Sequence, residues 1–335
     1  MRWEHLRERD FLAPIQIDGV PTLEIVAPSS PVVLDGERLG RSHRRLPGVG
    51  GHDLDGRVTR PLRSAPHVAD SPEHRPLGGV RVIDLTWVWA GPFAAMQLAL
   101  LGAEVIKIES TSRMDVTRIL GPWADEEVGP DRSAYFNQFN QGKRSVALDL
   151  SDATGRAVLA ELLRKSDVVI DNMRAGALAR MGFGRDRLDD LNPRLVSVAL
   201  TGFGETGPER DRQAYGSLID AMSGLNAITG RPGGPPIEIP MSLPDPSSGL
   251  HAAVAVVGAL CRARATGRGC HVERSMIESW LSTVPWGVLE LAATGRERER
   301  SGLRVEDAAP HGCSGVPAIT AGWRWRYEPT TSSGS

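Results

Sequence analysis

Of the carboxylates in this sequence, Asp245 stands in the most suggestive surroundings. Leu243-Pro244 keeps the chain extended before it, and Pro246, a residue suited to a first helical turn, opens a long apolar run behind it. A helix starting at Pro246 leaves the Asp245 side chain at the positive end of the helix dipole, stabilised as an anion and directed at whatever lies over the sheet. The competing reading is plain helix capping, the ordinary use of an aspartate in Asp-Pro-Ser-Ser. Asp220 and His251 are weaker candidates. His251 lies on an apolar helix, where a histidine is more often a packed core residue than a ligand.

Other chemistries lack their residues. There is no Gly-x-Ser-x-Gly elbow and no phosphate-binding Gly-Lys-Ser/Thr loop. His43, His52, His67 and His74 lie in the irregular leader rather than on a patterned helix or strand, so no metal is expected. Leu101-Gly-Ala-Glu-Val-Ile-Lys-Ile-Glu, with Glu109 at its end, resembles the second strand of a nicotinamide-binding fold. The loop before it, Trp89-Ala90-Gly91-Pro92, offers one glycine where a dinucleotide site needs three. Arg296, Arg298 and Arg300 alternate with glutamates and read as a solvated face.

The elements that must position Asp245 begin at Gly78. Val80–Leu85 reads as a strand, Pro92–Leu101 as a helix stopped by Gly102, and Glu104–Glu109 as a second strand. Ser145–Leu148 is a short strand, and a helix capped by Ser151 runs through Lys165. Asp167–Asp171 and Leu195–Leu200 are buried strands, separated by short helices over Arg174–Met181 and Arg185–Leu191. A helix over Ala214–Thr229 and a turn over Arg231–Pro236 precede the long helix from Pro246 through Arg264. Strands alternating with helices predict an α/β fold, a Rossmann-like parallel sheet with helices on both faces and ligands beyond the carboxyl ends of the strands. Residues 1–76 are interrupted by nine prolines and read as an irregular leader, with short strands at Thr22–Val26 and Pro31–Leu34 and a linker over Arg41–Pro76.

Composition limits the partners. The 335 residues are 41% apolar and 24% charged, enough for a sizeable core, and a formal charge of -2 lacks the basic footprint of a nucleic-acid binder. Three cysteines without a Cys-x-x-Cys pair indicate neither a disulfide framework nor a zinc site. A reducing cytoplasm is the expected compartment. The apolar stretch Val82–Ile106 is broken by Asp84, Gln97, Glu104 and Gly91-Pro92, so no membrane span is expected.

Several segments together resemble the family III CoA-transferases, the group that includes the formyl-CoA and carnitine CoA-transferases. They are Leu77-Gly-Gly-Val-Arg-Val-Ile-Asp-Leu-Thr, Ala90-Gly-Pro, Leu101-Gly-Ala-Glu-Val-Ile-Lys-Ile-Glu, Asn140-Gln-Gly-Lys-Arg-Ser-Val-Ala-Leu-Asp-Leu, Asp167-Val-Val-Ile-Asp-Asn, Leu191-Asn-Pro-Arg-Leu, Thr201-Gly-Phe-Gly and Thr266-Gly-Arg-Gly. Their order along residues 77–312 is the family's order. The resemblance implies that Asp245, in Asp245-Pro-Ser-Ser-Gly-Leu-His, is the nucleophile. Its carboxylate would attack an acyl-CoA thioester, pass through a mixed anhydride and hold CoA as an aspartyl thioester until an acceptor acid reverses the steps. CoA enters as a substrate thioester, and no tightly bound cofactor is implied.

By the same resemblance the CoA contacts are Trp89 and Ala90 in the first βα loop, Leu148, Asp149, Leu150 and Ser151, Asn172 and Met173, Arg180, and Gln213, Ala214 and Tyr215. Ser110 departs from the pattern, standing where an arginine that touches CoA can follow the strand. Trp89 also replaces a smaller polar residue found in some transferases. The related α-methylacyl-CoA racemases carry a Gly-His-Asp segment, and Arg212-Gln-Ala-Tyr215-Gly-Ser here lacks its histidine, which favours transfer. A non-catalytic CoA-binding protein is the third reading. The expected partners are an acyl-CoA, a carboxylic acid and a second copy of the chain in an interlocked homodimer.

The expected organisation is a leader over 1–76, a large transferase domain over 77–312 and a divergent, disordered or aberrant tail over 313–335. The leader resembles the end of a preceding transferase half, as in fused two-copy members. The tail, beginning Cys313-Ser-Gly-Val-Pro, departs from the family and reads as a frameshift or truncation, with much of the small domain missing. A terminal strand of alternating Trp323, Trp325 and Tyr327 is the competing reading.

Overall fold

The computed structural model describes residues 4–17, 20–39, 45–46 and 75–302. The linker over Arg41–Pro76 therefore falls almost wholly outside the described residues, and the tail over 313–335 entirely so. The N-terminal part holds helix α1 (Glu4–Glu8) and strands β1 (Leu12–Ile17), β2 (Val20–Pro28), β3 (Val32–Leu34), β4 (Glu37–Arg38) and β5 (Arg45–Leu46). Alternation then starts with β6 (Arg81–Asp84), α2 (Ala90–Leu100) and β7 (Glu104–Glu109). It continues through α3 (Ala134–Phe139), β8 (Lys143–Ala147), α4 (Ala153–Arg164), β9 (Val168–Asp171), α5 (Arg185–Leu191) and β10 (Val196–Thr201). The last elements are α6 (Gly216–Ser223), α7 (Leu225–Ile228), α8 (Pro244–Thr266), β11 (Cys270–Ser275), α9 (Met276–Thr283) and α10 (Trp286–Thr294).

Eight strands form the main sheet in the order β4-β3-β11-β10-β9-β6-β7-β8. The six from β11 to β8 are parallel, and the antiparallel pair β3–β4 completes that side, β3 running antiparallel to β11 and β4 at the edge. From β6 the chain winds outward through β7 and β8, then returns to β9 and winds the other way. The gap between β6 and β9 is thus the point where the order reverses, the place where open α/β sheets bind ligands. The strands are apolar on both sides because helices cover both faces. Val82, Val105, Val168 and Val196 pack with α2 and α8, whereas Ile83, Ile106 and Val169 pack with α4 and α5.

Helices α2 and α8 cross closely because small residues line the crossing. Ala94, Ala95, Ala252 and Ala253 are buried there. A Cβ on Gly249 would stand 2.6 Å from the Ala90 carbonyl oxygen. This approach brings the first turn of α8 over the first turn of α2, and with it Asp245 to Ala90.

The N-terminal part is less irregular than its prolines predict. Leu6 and Phe11 are fully buried in the same core as α2 and α8. His5 Nε2 lies 2.7 Å from the Phe203 carbonyl oxygen. Arg9 pairs with Glu273 at 2.7 Å and Glu278 at 2.6 Å, and Arg38 with Glu278 at 2.8 Å. Pro14 is tolerated within β1 because, among the described residues, β5 pairs with Gln16 and Ile17 and not with Pro14.

Four local expectations shift. Asp152, not Ser151, caps α4, its side chain accepting from Thr154 N. The expected helix over Arg174–Met181 reduces to a π-turn over Ala179–Phe183. The helix over Ala214–Thr229 breaks at Gly224, whose φ of +85° ends α6 in a left-handed cap. The long helix starts at Pro244 rather than Pro246, so Asp245 lies inside the first turn and caps nothing.

Candidate active site

Asp245 is 8% exposed. Burial lifts its pKa from 3.8 to about 6, against the Ser242 hydroxyl and the backbone N–H groups of Ala90 and Gly216, which favour the ionised form; the Asp220 carboxylate adds to the rise. The contact is close on the Gly216 side. A Cβ at that position would fall 2.1 Å from Asp245 Oδ2 and 2.2 Å from Ser242 Oγ, so only glycine lets the start of α6 approach the carboxylate. Asp220 is fully buried on α6, and burial raises its carboxyl to about 6. Tyr135 is pushed up to about 12 by burial and by the Asp245 and Asp115 charges, which keeps it a neutral hydroxyl. His251 is half-buried with its pKa lowered by burial and by Arg274, so it is neutral at pH 7.

Trp89 and Ala90 open α2 beside this carboxylate. The Trp89 ring stacks on Phe139 with centroids 5.0 Å apart and meets Tyr135 edge-on at 6.1 Å. A short turn, Leu85–Val88, joins them to β6 and to a cavity of about 970 Å³ at the carboxyl ends of β6, β7, β8 and β9.

Leu148, Asp149, Leu150, Ser151, Asn172, Met173 and Arg180 all line that cavity. Gln213, Ala214 and Tyr215 do not line it. They lead into α6 on the Asp245 side, where Ala214 packs on Gly202 and Tyr215 is 54% exposed. The structure thus divides the sequence-predicted contacts between a large cavity and a buried carboxylate, joined by the turn after β6.

Three arginines absent from the sequence-predicted set also line the cavity: Arg113, Arg156 and Arg174. Among the described residues, they and Arg180 share the cavity with two carboxylates, Glu109 and Asp149. Glu109 is already paired with Arg118 at 2.7 Å, and Asp149 accepts from the Ser151 hydroxyl at 2.6 Å. Arg113 lies over the Trp87 ring, 5.4 Å from its centroid, and its backbone N–H donates to Ser110 Oγ at 2.9 Å. The arginine missing at position 110 is therefore matched by one three residues later that reaches the same cavity. The cavity carries an excess of positive charge on an otherwise near-neutral chain.

The family model described as CoA-transferase family III matches residues 77–315. The acetyl-CoA:oxalate CoA-transferase of Acetobacter aceti is 40% identical over 236 residues, covering 70% of this chain and 59% of that protein. The succinate–glutarate CoA-transferase of Agrobacterium fabrum is 35% identical over 247 residues, covering 73% and 62%. In structure, the chain is similar to a CAIB/BAIF family protein from Brucella suis with a TM-score of 0.67 and 33% identity, covering 72% of this chain and 64% of that one. The chain spans about six-tenths of the length of the curated relatives it matches.

Proposed function

Because the chain belongs to CoA-transferase family III, we propose that it moves coenzyme A from an acyl-CoA to a carboxylic acid, with Asp245 as the nucleophile. The observation that carries this reading is a buried carboxylate one short turn away from an arginine-rich cavity large enough for a nucleotide. Both the cavity and the carboxylate are reached from the switch point of the sheet.

The chemistry needs two covalent exchanges. An Asp245 oxygen attacks the thioester carbonyl, a C–O bond forms, the C–S bond breaks, and CoA leaves as a thiolate from a mixed anhydride. The thiolate then attacks the Asp245 acyl carbon, forming the aspartyl-CoA thioester and releasing the donor acid as its carboxylate. The acceptor acid repeats both steps in reverse. A pKa of about 6 leaves Asp245 ionised at pH 7 and poorly solvated, both of which favour attack. The Ala90 and Gly216 N–H groups face the carboxyl oxygens and can hold negative charge as the tetrahedral adduct forms.

In this reading the CoA phosphates lie against Arg113, Arg156, Arg174 and Arg180, and the pantetheine arm passes Trp89 and Ala90 toward Asp245. Gln213, Ala214 and Tyr215 serve the acyl side, next to the carboxylate. A cytoplasmic location and pairing with a second copy belong to the same proposal. Among the described residues no helix is long and apolar enough to cross a membrane. Leu250 and Val254 expose an apolar strip on α8, at 49% and 71%, that a second copy would cover.

The test is incubation with an acyl-CoA, trapping with hydroxylamine, and peptide mass spectrometry. A hydroxamate at Asp245 is the expected product. Deuterium exchange at the acyl α-carbon without that adduct would instead identify a racemase, and CoA retention with neither would identify a binding protein.

A further inference from the structure

The turn between β6 and α2 is strained at one residue and held there by others. Val88 has a φ of +71°. The other described non-glycine residues in this region of backbone space are aspartates and a glutamate, whereas valine is β-branched and resists it. Such a conformation persists only where its surroundings over-determine it.

Four side chains do so here. Both oxygens of Asp115 lie 3.2 Å from Val88 N. Asp115 Oδ1 also accepts from Thr117 N at 3.0 Å and Thr117 Oγ1 at 2.8 Å, and Oδ2 pairs with Lys107 Nζ at 3.3 Å. Lys107 donates in turn to the Thr86 carbonyl at 2.6 Å. Asn172 closes a ring on Trp87, accepting from its N–H at 2.8 Å and donating to its carbonyl at 2.7 Å. Asp84 accepts from Thr86 N at 2.9 Å. Asp84, Lys107 and Asp115 are all buried, so these bonds are shielded from competing water. Three consecutive peptide units are thus fixed, and the next two residues are Trp89 and Ala90.

We infer that Asp115 is a positioning residue: its carboxylate holds Val88 in the left-handed conformation and thereby sets the Ala90 N–H against the Asp245 carboxylate. Asn172, a CoA contact by resemblance, has its amide committed to Trp87 and couples the turn after β6 to the one after β9 across the switch point. The consequence for catalysis rests on Asp245 being the nucleophile; the clamp itself does not.

The test uses the full chain and four forms: wild type, Asp115→Asn, Val88→Gly and the double variant. Glycine adopts positive φ without strain, so in its presence the turn no longer needs the carboxylate. Hydrogen exchange across residues 86–91 should accelerate about tenfold or more in Asp115→Asn, the effect of losing a hydrogen bond to a charged group. It should accelerate by less than about threefold when the same change is made in Val88→Gly, whose φ is met without the clamp.

A second readout is the pH profile of Asp245 labelling by a water-soluble carbodiimide, which requires the protonated carboxyl. Its midpoint should move up in Asp115→Asn, because an N–H that favours the ionised form withdraws, and return in the double variant. If Asp115→Asn does not fold, the double variant should. An equal effect of Asp115→Asn in both backgrounds, an unchanged profile, or an unfolded double variant overturns the inference. Normal labelling without a hydroxamate after acyl-CoA treatment would remove the transferase reading and leave the clamp standing.

Discussion

Replacing Asp245 with asparagine should abolish the adduct and at the same time stabilise the fold. At pH 7 the folded chain holds a charge in a site that burial makes unfavourable, with a carboxyl lifted from 3.8 to about 6. Each pKa unit is worth about 1.4 kcal/mol, so the rise corresponds to about 2–3 kcal/mol of stability lost above pH 6. Between about pH 4 and 6 the folded form keeps a proton that the unfolded chain has released. Wild-type stability from this group therefore falls as the pH climbs through that window and is level above it. Asparagine has the same shape and no charge. Its oxygen can accept from Ala90 and Gly216 while its amide donates to Ser242 Oγ. Urea denaturation at pH 7.5 should show Asp245→Asn more stable than wild type by about 1–3 kcal/mol, with the advantage shrinking as the pH approaches 4.5. A variant less stable at pH 7.5, or an advantage that ignores pH, would refute the account of this site as a carboxylate destabilised by its burial.

Three further outcomes are expected. Glu278→Gln removes the charge that compensates Arg9 and Arg38 and should cost about 3–5 kcal/mol in chemical denaturation, since a buried pair broken on one side leaves charge unmatched. Gly216→Ala drives a methyl into Asp245 Oδ2 and should slow hydroxamate formation by about a hundredfold, the cost of displacing a reacting group by about an ångström, with the circular dichroism spectrum retained. Arg113→Ala with Arg180→Ala should raise the KM for an acyl-CoA about tenfold and flatten its salt dependence. The same pair should leave turnover of an acyl-pantetheine, which has no nucleotide phosphates, unchanged.

Much of the site was legible because its signals are local. Asp245 and its helix lie in one short segment, and the strands β9 and β10 are largely apolar runs of the right length, while β6 and β7 are short segments rich in Val and Ile. What escaped reading depends on contacts between distant segments. Arg113, Arg156 and Arg174 come from separate loops and meet only where the strands end. Strand β11 is hidden in Cys-His-Val-Glu-Arg-Ser, whose charged residues are buried against partners outside the strand: Glu273 with Arg9, far back along the chain, and Arg274 with Ser279 in the helix that follows. The N-terminal segment reads as irregular for the same reason, since its order comes from Glu273 and Glu278 rather than from any periodicity of its own. Asn172, singled out by resemblance, does line the cavity, but its bonds were not legible, because nothing in Asp167-Val-Val-Ile-Asp-Asn shows that its amide is held by Trp87.

The distribution of buried charge bears on what these groups are for. The side chains of Asp84, Lys107, Asp115 and Lys143 gather around the end of β6, with Lys143, the first residue of β8, paired to Asp84 at 2.8 Å and to the Pro92 carbonyl at 2.9 Å. Burial alone would lift Asp84, yet Lys143 and Lys107 hold it below the ordinary range. Burial depresses Lys143 in spite of its partner. Apolar residues of similar volume often serve stability as well as a buried ion pair does, or better by about 1–4 kcal/mol. Stability is therefore a poor reason for these groups. Their bonds reach beyond one another to the backbone of Thr86, Val88 and Pro92, the turn and helix start that lie between the cavity and Asp245. An apolar core could fill the same space but could not fix three successive peptide units, one of them strained. On this argument an apolar replacement of the Asp84–Lys143 pair should leave the fold standing and loosen the turn, seen as faster hydrogen exchange over residues 86–91 at undiminished global stability. Loss of the whole fold with no selective effect on the turn would assign the charges to the core instead.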